Sequence, residues 1–334
     1  MNKGPALPSG ACRLLRFHPP RAAPEPMKYT LRQLEIFVAV ARHESVSRAA
    51  DELALSQSAT STALGELERQ FDTQLFDRIG KALRLNELGQ VLLPHAVQLL
   101  EHAAEIETLL ASKTDYGPLQ IGATLTIGNY LATLIAAEFL RLHPSAQVKL
   151  SVHNSATIVH QLVHYDLDLG LIEGACRHPD LVAEPWVEDE LVVFCAPGHP
   201  LAHGRPATLD ELGAQDWVLR EAGSGTRETF DQALRHFGGE LKVRLELEHT
   251  EAIKRAVESG IGIGCISRLA LREAFRRGSL VAVDTPQLDL RRQFQFVTHK
   301  RKYVTAGMRE FIALCRRMTA GAARSDLIEL PFSP

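Results

Sequence analysis

The sequence contains no uninterrupted apolar run of about eighteen residues, the length a helix needs to cross a bilayer, so no membrane-spanning helix is expected. Cysteine is sparse. Cys12, Cys176, Cys195, Cys265 and Cys315 are scattered and form no C-x-x-C pair, which excludes a disulfide framework and fits a reducing, cytoplasmic setting. Net charge is close to balanced at −3, so bulk charge selects no partner, and any nucleic-acid contact must come from a local patch. No Ser-His-Asp or Cys-His arrangement stands in register, so neither an enzyme nor a cofactor is expected. The first 26 residues are rich in Pro, Ala and Arg and lack the continuous apolar segment of a secretory signal. They cannot bury much surface and are expected to be a disordered extension, with Met27 as an alternative start.

What is present is a chain of 334 residues, 45% hydrophobic, long enough for about two domains with real cores. From Thr30 the apolar residues Leu34, Phe37, Val38 and Ala41 follow a helical period, and Thr30 with Gln33 makes a capping box. A second short helix carries Val46, Ala49, Ala50 and Leu53 and starts from Ser45 as its cap. A third runs from Ser56 or Gln57 to about Phe71, with Ala63, Leu67 and Phe71 expected inside. Gly80-Lys81 reads as the tight turn of a small β-wing. Asn86 then caps a long helix from Glu87 to about Lys113, whose apolar positions Leu88, Leu92, Leu99, Ile106 and Leu110 suit pairing with a second copy. His95 and His102 are expected at the edge of that seam. "KTDYGPLQ" breaks the pattern and is the linker.

Two short amphipathic helices joined by a tight turn make a helix-turn-helix, whose second helix enters the major groove N-terminal end first. That position explains the run of short polar side chains around Gln57: Ser47, Ser56, Ser58, Thr60, Ser61 and Thr62. Small leading residues admit the helix, and Ser, Thr and Gln reach base edges and phosphates. Gln57 suits adenine. The same residues would also serve as an N-cap and a solvated face. Arg78, Lys81 and Arg84 cluster at the wing, where a phosphate or minor-groove contact would be made.

The stretch from Leu31 to Gly89 carries L-x-x-F, A-A-x-x-L, "LSQSATS", L-E, L-F-x-R and a closing L-x-x-x-G. In these elements it resembles the winged helix-turn-helix of LysR-type transcriptional regulators. Thr62 departs from the basic residue common there, and Asn86 replaces the usual Thr. The resemblance extends by length and βα pattern to about residue 318. It implies an α/β fold class: an N-terminal all-α winged helix-turn-helix, then a C-terminal two-lobed α/β domain resembling type II periplasmic binding proteins. The expected units are 27–87 for DNA binding, 88–116 for the linker helix and 117–318 for the effector domain, with 319–334 a tail. Lobe one would hold 118–192 and 268–300, and lobe two 193–266.

After residue 117 the sequence alternates strands and helices, which indicates a parallel α/β sheet. Ligands in such sheets bind at the carboxyl ends of strands. The residues there are Thr124, Leu125 and Thr126; Asn154 and Ser155; Ser224, Gly225, Thr226 and Arg227; and Thr250. Hydroxyls at four helix N-termini, with a "GSGTR" nest, suit a small anion. Thr and Ser are also ordinary caps. "GATLTIGNYL" and "REAGSGTRETF" look most like the family's regulators of sulfur assimilation and carbon fixation, which implies a sulfite, sulfate or similar oxyanion. Sugar phosphates and organic acids stay open. "GIGIG" (Gly260–Gly264) has the wrong spacing for a dinucleotide site and reads as a helix end and turn. His160 and His164 have metal-compatible spacing but no third ligand. Asp166, Asp168 and Glu173 flank a short apolar strand and read as structural. Cys176 beside Arg177 is either a lowered-pKa thiol or an ordinary loop cysteine.

The expected function is a transcriptional regulator that binds double-stranded promoter DNA as a homodimer or homotetramer and is controlled by a small effector. RNA polymerase is a further partner in such a scheme. A solute-binding protein is the rival from another class.

Overall fold

The computed structural model of the chain describes residues 27–79, 82–110, 116, 118–235 and 239–330. The extension at 1–26, the wing tip Gly80-Lys81, Cys12 and most of the linker lie outside them.

The N-terminal unit holds α1 (Leu31–His43), α2 (Val46–Glu52) and α3 (Gln57–Gln70), then strands β1 (Phe76–Ile79) and β2 (Ala82–Leu85) and the long α4 (Glu87–Leu110). Local chemistry sets each start. Thr30 and Gln33 close the capping box on α1, and Ser45 and Ser56 accept backbone N–H groups at the heads of α2 and α3. Asn86 accepts from the Gly89 N–H at 2.9 Å and so caps α4. Phe37, Ile36, Val40, Ala49, Leu64, Leu67 and Phe76 pack into one core against Ala96 and Val97 of α4. Phe71, expected inside, is 49% exposed, and the buried position at the head of α3 is Thr60. Helix period alone does not separate the two, because α3 ends at Gln70 and Phe71 turns outward with the loop.

The larger domain begins with β3 (Pro118–Thr124). A helix follows as α5 (Leu125–Ile127), passes through a π turn at Gly128–Ala132 and continues as α6 (Thr133–Leu142). The Leu125–Leu142 helix is long and apolar enough to span a bilayer, yet half of it is buried, as befits a core helix. Next come β4 (Gln147–His153), α7 (Ser155–Val163), β5 (Leu169–Glu173) and the fifteen-residue β6 (Leu181–Cys195). The second lobe adds α8 (Leu209–Gly213), β7 (Asp216–Arg220), α9 (Gly225–Ala233), β8 (Lys242–Leu247), α10 (Thr250–Glu258), β9 (Ile263–Ser267), α11 (Arg268–Arg277) and β10 (Val281–Ala282). The chain returns through β11 (Arg291–His299) and ends in α12 (Ala306–Met318) and a 3-10 turn at Ser325–Leu327.

The strand order is β4-β3-β5-β11-β6-β9-β7-β8, with β10 on β6. Within each lobe the βαβ neighbours are parallel, as expected. The strands that join the lobes, β6 and β11, run antiparallel to their neighbours, so the sheet is mixed. One strand serves both lobes: β6 pairs with β11 through Glu190 and with β9 from Leu191.

Two boundaries move. Ala270, Leu271, Ala274 and Leu280 pack with Val218, Ile253 and Val257, and Val283, Leu288 and Leu290 pack around Trp217. The second lobe therefore runs to Leu290, and lobe one resumes with β11. The segment 319–330 is no tail: Ile328 and Leu330 lie in the core of lobe one with Phe294, Phe296 and Phe311. The Trp186 indole N–H donates to the Thr319 hydroxyl at 2.9 Å. A strand-end rule could not see either packing choice, because both depend on partners far away in sequence.

Candidate DNA-reading surface and effector cleft

Ser47, Ser56, Gln57, Ser58, Ser61 and Thr62 are all exposed, on α2 and on the first turns of α3. The Ser56 hydroxyl accepts from the Ala59 N–H at 3.1 Å and lies 3.1 Å from the Ser58 hydroxyl. Gln57, Ser61 and Thr62 form the open face that a groove would meet. Thr60 is corrected: it is fully buried, and its hydroxyl donates to the Ser56 carbonyl at 3.1 Å, so it belongs to the core. At the wing Arg78 lies opposite Leu83 and Arg84 opposite Asp77, so the two arginines project from different faces of the ribbon. The basic cluster read along the chain is thereby split. Arg84 stands 4.0 Å from Glu44. Lys81 lies outside the described residues.

Several of the residues expected to meet an effector, Thr126, Ser155, Gly225 and Thr226, come together between the lobes around Glu173, which reads as structural along the chain. Glu173, at the end of β5, is buried. Its carboxylate accepts from the Thr126 N–H at 2.7 Å and from the Thr226 hydroxyl at 3.0 Å, and pairs with Arg292 at 2.9 Å. Burial works to raise its pKa. The Arg292 and Arg220 guanidiniums outweigh burial, so the net shift is downward and the group is charged. Arg292 is held in turn by Asp189 at 2.6 Å, and Asp189 also accepts from Ser267 at 2.7 Å and from Ser325. Arg292 Nη2 is buried and has no hydrogen-bond partner.

Around this centre the lobes touch. The Gly225 N–H donates to the Ser155 hydroxyl at 3.2 Å, and the Ala156 N–H to the Gly223 carbonyl at 3.1 Å. A Cβ on Gly225 would meet the Glu173 carbonyl oxygen at 2.2 Å, so only glycine lets α9 approach β5 this closely. Asn154 caps α7 and donates to Glu221, which also pairs with the buried Arg220. Thr124, Leu125, Ser224 and Thr250 are buried, and the Thr124 hydroxyl donates to the Leu171 carbonyl at 3.4 Å. Arg227 is corrected: its guanidinium is taken up by Asp231, Glu246 and the Arg220 carbonyl. Along the chain Glu173 reads as structural, because it only flanks a short apolar strand with no catalytic arrangement in register with it. Arg292, Asp189 and Ser267 carry no local motif, since the topology alone unites β5, β6, β9 and β11.

The Cys176 thiol is pushed up by burial, so Arg177 does not activate it. His160 and His164 stack at 4.1 Å, and among the described residues no three-ligand metal cluster forms. His102, exposed on α4, packs on Tyr303 at 3.9 Å.

An exposed recognition helix with a wing, a long apolar linker helix and a two-lobed α/β domain with its polar centre at the hinge define a ligand-controlled DNA-binding protein. Residues 31–90 match the family described as "Bacterial regulatory helix-turn-helix protein, lysR family", and residues 112–320 match "LysR substrate binding domain". The chain is 44% identical over 289 residues to "Uncharacterized HTH-type transcriptional regulator YeiE" of Escherichia coli, covering 86% of this chain and 98% of that protein. Among solved structures, a full-length OxyR variant from Pseudomonas aeruginosa superposes with TM-score 0.66 at 21% identity, covering 86% of this chain and 93% of that one. The Synechocystis PCC6803 CcmR regulatory domain in complex with 2-PG gives TM-score 0.58 at 27% identity, over 62% of this chain and 99% of that one.

This chain belongs to the LysR family of transcriptional regulators. It is a DNA-binding regulator with an effector-binding domain, and not an enzyme.

Proposed function

We propose that the chain reads a promoter through the open face of α3 and senses a small oxyanion, sulfite or sulfate first, at the place Glu173 now occupies. The observation that carries this is the ring of donors around the Glu173 carboxylate. A backbone N–H, a hydroxyl and a buried guanidinium are the partners an oxyanion needs, and Arg292 Nη2 is a further buried donor without a partner. Glu173 fills the site from within. Its negative charge must move away before an anion can enter, so the closed, self-occupied cleft is one state and the anion-bound cleft the other. Organic acids and sugar phosphates, the alternatives, present the same oxygens. The CcmR neighbour, which holds 2-PG, favours testing that class alongside sulfite. Gln57, Ser58, Ser61 and Thr62 would meet base edges and phosphates, Ser47 the backbone, and the wing a flanking phosphate through Lys81 and one of Arg78 and Arg84, which leave opposite faces of the ribbon. The exposed stripe of α4 would join two copies, so that each half of a two-fold site meets one recognition helix.

The test is fluorescence anisotropy with the duplex upstream of the chain's own gene and a scrambled duplex, with and without sulfite, sulfate or 2-PG. Gln57→Ala is expected to weaken the native duplex roughly tenfold and the scrambled one little, as the loss of one bidentate base contact does. Equal weak binding of both duplexes would refute the reader. A native affinity unmoved by all three anions would refute the oxyanion cleft.

A further inference from the structure

Two adjacent strands run from the effector cleft to the DNA-binding unit. β5 carries Glu173 at one end, and Asp168 immediately precedes its other end. β11 runs antiparallel beside it, from Arg292 at the cleft to His299, three residues before Lys302. All five residues of β5 are buried. Gly170 has no room for a Cβ, which would meet Leu162 at 2.7 Å, so the strand is clamped under α7. At about 3.3 Å per residue the two ends lie roughly 17 Å apart.

At the far end Lys302, only 3% exposed, lies between two carboxylates. Its ammonium is 2.5 Å from Glu101 of α4 and 2.9 Å from Asp168. The other Asp168 oxygen accepts from the Gln120 N–H at 2.6 Å, which ties the joint into β3. Gln98 and His102 of the same helix meet the Arg301 carbonyl and the Tyr303 ring. A buried ammonium between two carboxylates is weak evidence for stability, since desolvation offsets most of its attraction, but it fixes geometry.

We propose that the Glu101–Lys302–Asp168 triad is the joint that transmits the state of the effector cleft to the linker helix. Lys302 is a positioning residue that couples the β5–β11 pair to α4. The proposal rests on the reading of the cleft at Glu173 as the effector site. Opening the Glu173–Arg292 pair releases the near ends of both strands. The strands pass that displacement as a pair to Asp168 and Lys302, and Lys302 turns it into a new angle of α4 and of the recognition helices beyond it. A merely structural triad would affect stability without affecting this coupling.

The experiment uses the full chain and the upstream duplex, with sodium sulfite as the probe. DNA affinity is measured with and without sulfite for wild type, Lys302→Met, Lys302→Arg and Glu101→Gln, and sulfite affinity is measured separately by calorimetry. Wild type is expected to change DNA affinity at least about fivefold with sulfite, the low end of allosteric coupling. In Lys302→Met and Glu101→Gln that factor falls to within about twofold of unity while sulfite affinity stays within about threefold; Lys302→Arg keeps it. A folded Lys302→Met or Glu101→Gln with the wild-type factor overturns the joint. If wild type binds no sulfite, sulfite is not the effector, and the joint is tested without ligand. Glu173→Gln is expected to shift DNA affinity by itself, and Lys302→Met in that background to abolish the shift. A Glu173→Gln with unchanged DNA affinity, or a shift that survives Lys302→Met, overturns the proposal.

Discussion

Glu173 shows how one side chain serves both fold and function. The Arg292 and Arg220 charges hold its carboxyl below the ordinary range against the opposing effect of burial. The sign of the linkage follows. A depressed pKa contributes stability above the ordinary glutamate value, and that contribution is lost as pH falls through the folded value. Glu173→Gln is therefore expected to cost about 3 kcal/mol near neutrality, the range for breaking a buried pair. The gap from wild type should begin to close once the solution is acidified below the ordinary glutamate range, and vanish only as pH falls through the lower folded value. Urea unfolding of both proteins across that span checks it; a gap independent of pH would mean that the carboxylate is not the stabilising species. The same substitution removes the charge that opposes an incoming anion, so sulfite should bind Glu173→Gln more tightly, by about tenfold or more, if the cleft admits it where the carboxylate lies. The residues that composition and spacing made visible, Gln57, Ser155, Thr126 and Thr226, lie where their caps and strand ends put them. Those that stayed hidden, Arg292 and Asp189, are ordinary strand residues until β11 is laid against β6.

At the scale of elements, short-range signals worked where they were chemical. α7 spans Ser155–Val163 and β9 spans Ile263–Ser267, as their caps and flanks indicate. The split of the wing arginines and the burial of Thr60 were not legible, because register and helix rotation are set by packing. The closing glycine of the helix-turn-helix motif has a steric reason. A Cβ on Gly89 would lie 2.2 Å from the Leu75 carbonyl oxygen and 2.8 Å from Leu85, both in or beside the wing. The first turn of α4 therefore presses directly on the β-ribbon. Gly89→Ala forces the two apart, and overpacking of this kind costs about 1 to 3 kcal/mol. The expected result is a thermal midpoint several degrees lower and weaker DNA binding, while Gly65→Ala in α3, where a Cβ has open space, gains stability. Equal stability of Gly89→Ala and wild type in a thermal melt would show that α4 and the wing yield freely.

At the scale of the whole molecule, α4 joins what the two domains do separately. Its inner side is consumed by the DNA-binding core and by the Lys302 joint. Its outer side keeps Leu88 at 47%, Val91 at 52%, Leu99 at 38%, Ile106 at 56% and Leu110 at 79% exposure. A folded chain rarely leaves such a stripe bare, and the spacing is that of a helix seam. On the proposed function a second copy covers it. Each apolar side chain buried there contributes about 1.5 to 3 kcal/mol, so a single charge in the stripe should suffice to separate the copies. Ile106→Glu is expected to give a folded monomer by light scattering at micromolar concentration, with a melting midpoint that is lower than wild type and independent of concentration, because the wild-type midpoint includes the stabilisation from pairing. Each monomer would then hold its half-site alone. Losing the linkage between half-sites removes an effective-concentration advantage on the order of a hundredfold or more in affinity for the full site, while binding to an isolated half-site stays the same. An Ile106→Glu protein with the wild-type mass and full-site affinity would show that the α4 stripe is not the seam.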